Sequence, residues 1–350
     1  MSLSADGPRV AVVGATGVVG TAMLDCLSQR QFPACEIVPF ASRRSIGREV
    51  LFGDVKLTVQ GLSDDSIQGF DIAIFSAGSE TSEAWGEKFG AAGAIVIDNS
   101  SYWRMMPDVP LVVPEINADA LDSVGEEGSR RIVANPNCST AQMVVALKPI
   151  LDAVGIERLV VSTYQSVSGT GQAAIQELRT QAAAVVAGEP VPPAAIYPHQ
   201  IAFNIIPQVE SFKDGDDYTT EERKMMAETR KILGEPELPI SATCARVPVL
   251  VGHSESVNVQ TRDPLSPDEC RKLLAAAPSV TVVDSPGEGI YPMAIDAAGR
   301  DDVLVGRIRV DPSHDRCLNM WIVGDNLRKG AAVNAVQVAE AVVARGLVSK

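Results

Sequence analysis

One cysteine stands apart from the rest of the chain. In Arg131-Ile132-Val133-Ala134-Asn135-Pro136-Asn137-Cys138-Ser139-Thr140 it follows an apolar run and a proline turn, and it opens a long helical pattern that runs to Val154. At a helix N-terminus the unpaired N–H groups and the positive end of the dipole favour a thiolate, and the same N–H groups bind an oxyanion when that sulfur attacks a carbonyl. Cys138 is therefore read as a nucleophile, and Cys26, Cys35, Cys244, Cys270 and Cys317 as buried, inert thiols. A thiol nucleophile gains from a neighbouring base. The candidates are His199 and His314, beside prolines in expected loops, and His253, where a polar cluster interrupts the apolar, strand-like Pro248–Ser256 segment. Spacing alone does not choose among them.

A second constellation lies near the start. Gly14-Ala15-Thr16-Gly17-Val18-Val19-Gly20 follows an apolar strand and opens a helix rich in Val, Ala, Met and Leu. A glycine at such a turn lets backbone approach a pyrophosphate, the helix N-terminus supplies free N–H groups, and the last glycine permits close helix–sheet packing. The end of the second strand, where an acidic residue would grip the ribose hydroxyls of NAD, carries none; Ala41-Ser42-Arg43-Arg44-Ser45 offers guanidinium and hydroxyl donors instead, which predicts NADP.

The elements that must hold these groups divide the chain in two, as its 350 residues allow. From Arg9 to Asn135, short runs apolar on both faces (Val10–Val13, Glu36–Phe40, Asp71–Phe75, Ala94–Ile97, Leu111–Val113) alternate with helical stretches, which predicts a doubly wound, mostly parallel α/β domain. Beyond Cys138 a helix to Val154 is followed by longer, partly alternating strands at Leu159–Tyr164, Ala245–Gln260, Val303–Asp311 and Cys317–Val323, with one helix between them at Thr219–Leu233. This predicts an α+β domain on a more antiparallel sheet. Lys329–Arg345 places Val333, Val336, Ala339, Val342 and Val343 on one helical face and is expected to pack back onto the first domain. The expected domains are 1–135 plus 327–350, and 136–326.

Composition excludes other roles. A net charge of −14 argues against nucleic acid or an anionic membrane as partner. The cysteines lack the C-x-x-C pairing of zinc or dithiol sites, so no metal is expected and a reducing cytosol is. No apolar run reaches a membrane-spanning length, and Met-Ser-Leu-Ser-Ala-Asp-Gly-Pro has no secretory pattern.

Taken together, the G-A-T-G-V-V-G turn, N-P-N-C-S-T and R-V-P-V-L-V-G-H-S resemble the bacterial type of aspartate-semialdehyde dehydrogenase. The likeness runs through Asp98–Arg104, Gln165–Gly171, Glu221–Lys224 and Gly324–Arg328 in order. It implies a cytoplasmic homodimer, with a catalytic and dimerisation domain, that reduces L-aspartyl 4-phosphate with NADPH and releases phosphate in lysine, methionine and threonine synthesis. It implies Cys138 as nucleophile, His253 as acid/base and Gln165 orienting the acyl group. Arg104 and Lys224 take the phosphate, Arg246 the substrate carboxylate, and Glu221, rather than its neighbour Glu222, the ammonium. Gly14, Thr16, Gly17, Val18, Val19, Arg44, Ser45, Ser168, Gly169 and Asn326 match cofactor-contacting positions. Two alternatives stand beside this reading. N-acetyl-glutamyl-phosphate reductase typically has an aromatic residue and a proline after its cysteine, where Ser139-Thr140 stand here. A non-catalytic NADP-binding regulator would have lost groups that this chain retains.

Overall fold

The computed structural model describes residues 6–348; Met1–Ala5 and Ser349–Lys350, parts of the expected 1–135 and 327–350 segments, lie outside them. Two compact units form, residues 6–137 with 331–348, and residues 138–330.

The first unit is built on a five-stranded parallel sheet, order β2-β1-β5-β6-β7, from Glu36–Phe40 (β2), Arg9–Val13 (β1), Ile72–Phe75 (β5), Ile95–Asp98 (β6) and Ile132–Ala134 (β7). Val10, Val12, Ile72, Ile74, Ile95 and Ile97 are wholly buried, as runs apolar on both faces require. Helices α1 (Val18–Gln29), α2 (Ser79–Ala91) and the short α3 (Pro114–Asn117) connect strands, and a two-stranded antiparallel ribbon, Glu49–Phe52 (β3) with Val55–Thr58 (β4), stands apart from the sheet. The strand order reverses between β1 and β5, which is where such sheets bind ligands at the carboxyl ends of their strands. After a π-helical turn at Arg328–Ala332, helix α9 (Val333–Ala344) brings Val333, Val336, Val338, Ala339 and Val342 into one core with Met23, Leu24 and Leu27 of α1. The returning helix is as expected. One expected strand is not there: Leu111–Val113 makes only a bridge to Ala134, because Val113 N–H donates to Asn117 Oδ1 and Leu111 C=O accepts from Asn117 Nδ2. Ile132–Ala134 takes the fifth place.

The second unit opens on α4 (Cys138–Val154), which rests on a six-stranded sheet ordered β11-β12-β13-β10-β8-β9. The strands are Val280–Val282 (β11), Val303–Val310 (β12), Cys317–Gly324 (β13), His253–Thr261 (β10), Ile156–Gln165 (β8) and Ile240–Arg246 (β9). The three central pairings are antiparallel and the two outermost are parallel. The run expected as one strand over Ala245–Gln260 is two: Pro248 has no N–H to give, Gly252 turns at φ +96°, and the carbonyls of Val249 and Leu250 accept from Val167 and Ser168 instead. Besides α6 (Thr220–Leu233), the unit carries α5 (Gln172–Ala187), α7 (Pro267–Ala276) and the short α8 (Ala294–Ala297). The expectation of a single helix between the strands thus missed α5, whose alanines blur the apolar face, and α7, whose start the Ser266/Glu269 capping box marks.

Candidate active site

Register sets out the site of the second unit. Arg246 pairs with Gln165 across β9 and β8, and His253 pairs with Gly324 across β10 and β13. Because Ser254 faces Tyr164, the next step along both strands brings Gln165 alongside His253. Arg246, Gln165 and His253 therefore form one transverse row on the face that α4 covers. The row beneath holds Cys244, Thr163 and Glu255, and the one below that is apolar, with Ala242, Val161, Val257 and Met320. A sheet face that is hydrophobic through most of its depth thus turns polar only near the start of α4.

Cys138, at that start, is half-buried, and its Sγ lies 3.2 Å from His253 Nε2. His199 and His314 are exposed in loops, so the structure selects His253 among the three histidines. On the far side of the ring, Nδ1 accepts the Ser166 backbone N–H at 3.0 Å. A nitrogen that accepts carries no proton, so the neutral ring bears its hydrogen on Nε2, aimed at the sulfur. Burial, and next the Arg246 guanidinium, push His253 down to about 3, so the ring is neutral at physiological pH. With its hydrogen on Nε2, the ring faces the sulfur as a hydrogen-bond donor in this arrangement.

The surroundings hold that geometry. Gln142, one turn beyond Cys138 on the same helical face, donates from Nε2 to the His253 carbonyl at 3.2 Å. Asn326 Oδ1 accepts from Ser166 Oγ, Ser168 Oγ and Gly252 N–H, and its Nδ2 donates to Ser168 Oγ, so one amide ties three segments around the histidine. Gly169 lies beside both side chains: an added Cβ would make ordinary van der Waals contact, 3.4 Å from Arg246 Nη1 and 3.5 Å from His253 Nε2. Arg246 donates to the Ser166 carbonyl at 2.7 Å, while its buried Nε has no partner.

The paired glutamates separate cleanly. Glu222 closes the capping box of α6 with Thr219 and accepts the Cys244 N–H at 2.9 Å. Glu221 turns to the polar row, accepting from Gln165 Nε2 at 3.0 Å and pairing with Lys224 Nζ at 2.8 Å. Ser166, Gln142 and Glu255 were not picked out from sequence. For Gln142 a signal existed, the four-residue spacing from Cys138; Ser166, which meets His253 Nδ1 with its N–H and also brings its hydroxyl within 3.1 Å, gave none.

In the first unit, Gly14 adopts φ +90°, and an added Cβ would lie 2.2 Å from Ser76 O; at Gly20 it would lie 2.1 Å from Gly14 O. Gly14 and Ala15 donate to Phe40 O, binding the turn to the end of β2. Thr16 and Gly17 are exposed and Val18 and Val19 half-buried, and α1 begins at Gly17 with no side-chain cap and no acid in its first turn. A pyrophosphate fits this cradle. A short 3-10 turn, Arg43–Ser45, follows β2; Arg44 is exposed and Ser45 buried, and no carboxylate falls between Phe40 and Glu49. Arg104 belongs to this unit too, its guanidinium donating to the carbonyls of Asn135 and Asn99. Of the expected inert thiols, Cys26, Cys244, Cys270 and Cys317 are buried, whereas Cys35 is half-buried in the loop leading to β2.

Comparison with known proteins agrees over the chain's length. Residues 9–124 match the family described as "Semialdehyde dehydrogenase, NAD binding domain", and residues 147–329 match "Semialdehyde dehydrogenase, dimerisation domain". The aspartate-semialdehyde dehydrogenase of Aquifex aeolicus is 53% identical over 343 residues, covering 98% of this chain and 100% of that protein. A crystal structure of aspartate semialdehyde dehydrogenase II from Vibrio cholerae, complexed with ASA, superposes with a TM-score of 0.93 at 46% identity, covering 97% of this chain and 99% of the other. The enzyme of Candida albicans with NADP superposes at 0.74 and 25% identity, covering 98% and 100%. Among the described residues no helix is long and apolar enough to cross a membrane.

Proposed function

The chain belongs to the aspartate-semialdehyde dehydrogenase family, and from that premise we propose that it reduces L-aspartyl 4-phosphate to L-aspartate 4-semialdehyde, releasing phosphate, as a cytoplasmic homodimer that uses NADPH. The observation that carries this reading is the 3.2 Å approach of Cys138 Sγ to His253 Nε2 at the start of α4.

Cys138 attacks the acyl carbon as the thiolate that the start of α4 favours, while the N–H groups of that first turn stabilise the tetrahedral oxyanion. The C–O bond to phosphate breaks, leaving a thioester, and Arg104 and Lys224 take the departing phosphate. NADPH, when bound, supplies the hydride that brings the thioester carbonyl to the aldehyde level. Collapse breaks the C–S bond and returns the electron pair to sulfur, assisted by His253, the expected acid/base, whose Nε2 faces that sulfur. Arg246 holds the substrate carboxylate through a bidentate fork and Glu221 its ammonium, while Gln165 hands its hydrogen bond from Glu221 to the acyl oxygen. Glu221 suits a free amino group, which weighs against the N-acetylated substrate of the related reductase. The Gly14–Val19 turn holds the pyrophosphate, Arg44 and Ser45 the 2′-phosphate, and Ser168, Gly169 and Asn326 meet the rest of the cofactor.

The test is reduction of NADP driven by aspartate semialdehyde, with and without phosphate. Activity dependent on phosphate and much weaker with NAD is expected; turnover indifferent to phosphate contradicts the acyl-phosphate chemistry.

A further inference from the structure

Lys224 is already engaged on two sides. Its Nζ lies 2.6 Å from Glu210 Oε1 and 2.8 Å from Glu221 Oε2. Glu221, 3% exposed, also takes the Gln165 amide and is part of the polar row. Glu210 has a different character. It sits on the segment before α6 with its side chain 44% exposed. Its backbone is at φ +62°, a conformation that strains a residue with a side chain. Thr220 Oγ1 donates to Glu210 Oε2 at 2.7 Å and Gln208 Nε2 donates to its carbonyl, so the unusual backbone is braced with the carboxylate turned onto the lysine.

One ammonium between two carboxylates leaves the cluster with a net charge of −1, at the group to which the proposed reaction brings a phosphate. Burial works against the charge of Lys224, yet the two carboxylates hold its pKa above the ordinary value, so the ammonium persists. A phosphoryl group that reaches the third N–H of Lys224 while Glu210 stays meets a like charge at contact distance, which weakens the pairing. Glu221 is buried and doubly bonded; Glu210 is solvent-accessible and held on a strained backbone. Glu210 is the partner that can leave.

We propose that Glu210 is a displaceable counter-ion that occupies the phosphate-binding face of Lys224 and is exchanged for the substrate's phosphoryl group. This rests on the reading of Lys224 as a phosphate ligand and adds to it a positioning residue that sets how strongly an oxyanion must bind. The occupied state keeps the lysine paired between turnovers, and a weak anion does not dislodge the carboxylate. Phosphate affinity is then lower than Lys224 alone would give, by the strength of a partly exposed ion pair.

The experiment measures KM for inorganic phosphate in the semialdehyde-oxidising direction, at fixed semialdehyde and NADP, for full-length wild type, Glu210→Gln, Thr220→Val and Lys224→Met. Glu210→Gln is expected to lower the phosphate KM about 1.5-fold to fivefold, the range set by a partly exposed pair, with KM for semialdehyde unmoved. Thr220→Val, which frees the carboxylate without removing it, is expected to shift the phosphate KM in the same direction and less. A purely structural role would move Tm and both KM values together. If Lys224→Met raises the phosphate KM while Glu210→Gln leaves it unchanged or raises it, the counter-ion proposal is overturned and the role of Lys224 stands. If Lys224→Met leaves it unchanged, the assignment of Lys224 fails and the proposal falls with it.

Discussion

The two units prepare for chemistry by opposite means. At the Gly14–Gly20 turn, function depends on side chains that are missing: backbone comes within reach of a ligand because any Cβ at Gly14 or Gly20 would collide with main-chain oxygen. On the second sheet the proposed chemistry depends on side chains buried where polar groups are costly, several of them kept there by a named partner: Ser166 N–H for His253, Gln165 and Lys224 for Glu221, Asn326 for Ser166 and Ser168. One site tolerates no added atoms, the other no lost ones.

The largest expected effect tests the second site. Cys138→Ala removes the proposed nucleophile and should lower turnover on the order of 10⁴-fold or more, while dinucleotide titration by fluorescence stays near wild type; residual activity within a hundredfold of wild type would place the chemistry elsewhere. Next, Gly14→Ala puts a Cβ 2.2 Å from Ser76 O at φ +90°. Dinucleotide affinity should fall by at least tenfold, whereas alkylation of Cys138 should keep its rate. Equal loss of both properties would erase the distinction between the two sites. Arg44→Ala should raise KM for NADPH about tenfold, as loss of one charge-assisted contact implies, with little change for NADH.

The smallest effects concern pH and stability, and they run in opposite directions. His253 has a folded pKa of about 3 against 6.5 in the unfolded chain, so between those values the unfolded state binds more protons and this residue makes stability rise with pH. Glu255 is fully buried, and burial raises its pKa well above 4.5 against the opposing pull of the Gln142 side chain beside it. The folded state then holds the extra proton, so its contribution to stability falls as pH rises above 4.5. Glu255→Gln should therefore raise Tm by a few degrees at pH 8 and by little at pH 4, read by calorimetry. A lower Tm at pH 8 would mean that the ionised carboxylate is wanted.

How legible each region was follows from the same contrast. The glycine turn, the strands before and after it, and the bare end of β2 are local, so residue order nearly spelled them out. The polar row is not local. Gln165, Arg246 and His253 come together only through strand pairing, and periodicity placed His253 in the middle of one long strand instead of at the first residue of β10 after a break. Motif resemblance supplied their grouping; the residues alone gave only a cysteine in a reactive setting and three histidines to choose among. Ser166 was invisible because only folding brings its N–H and hydroxyl to His253, and Leu111–Val113 misled because a single asparagine side chain, Asn117, took its backbone hydrogen bonds.

The route of the chain through α9 bears on the order in which the molecule is made. Val333, Val336 and Val342 fill the same interior as Met23 and Leu27, residues translated some three hundred codons earlier. During synthesis the nucleotide-binding half must wait, its interior open on one side, while the whole of the inserted half emerges and folds first. The piece made earliest is thus the last to be finished.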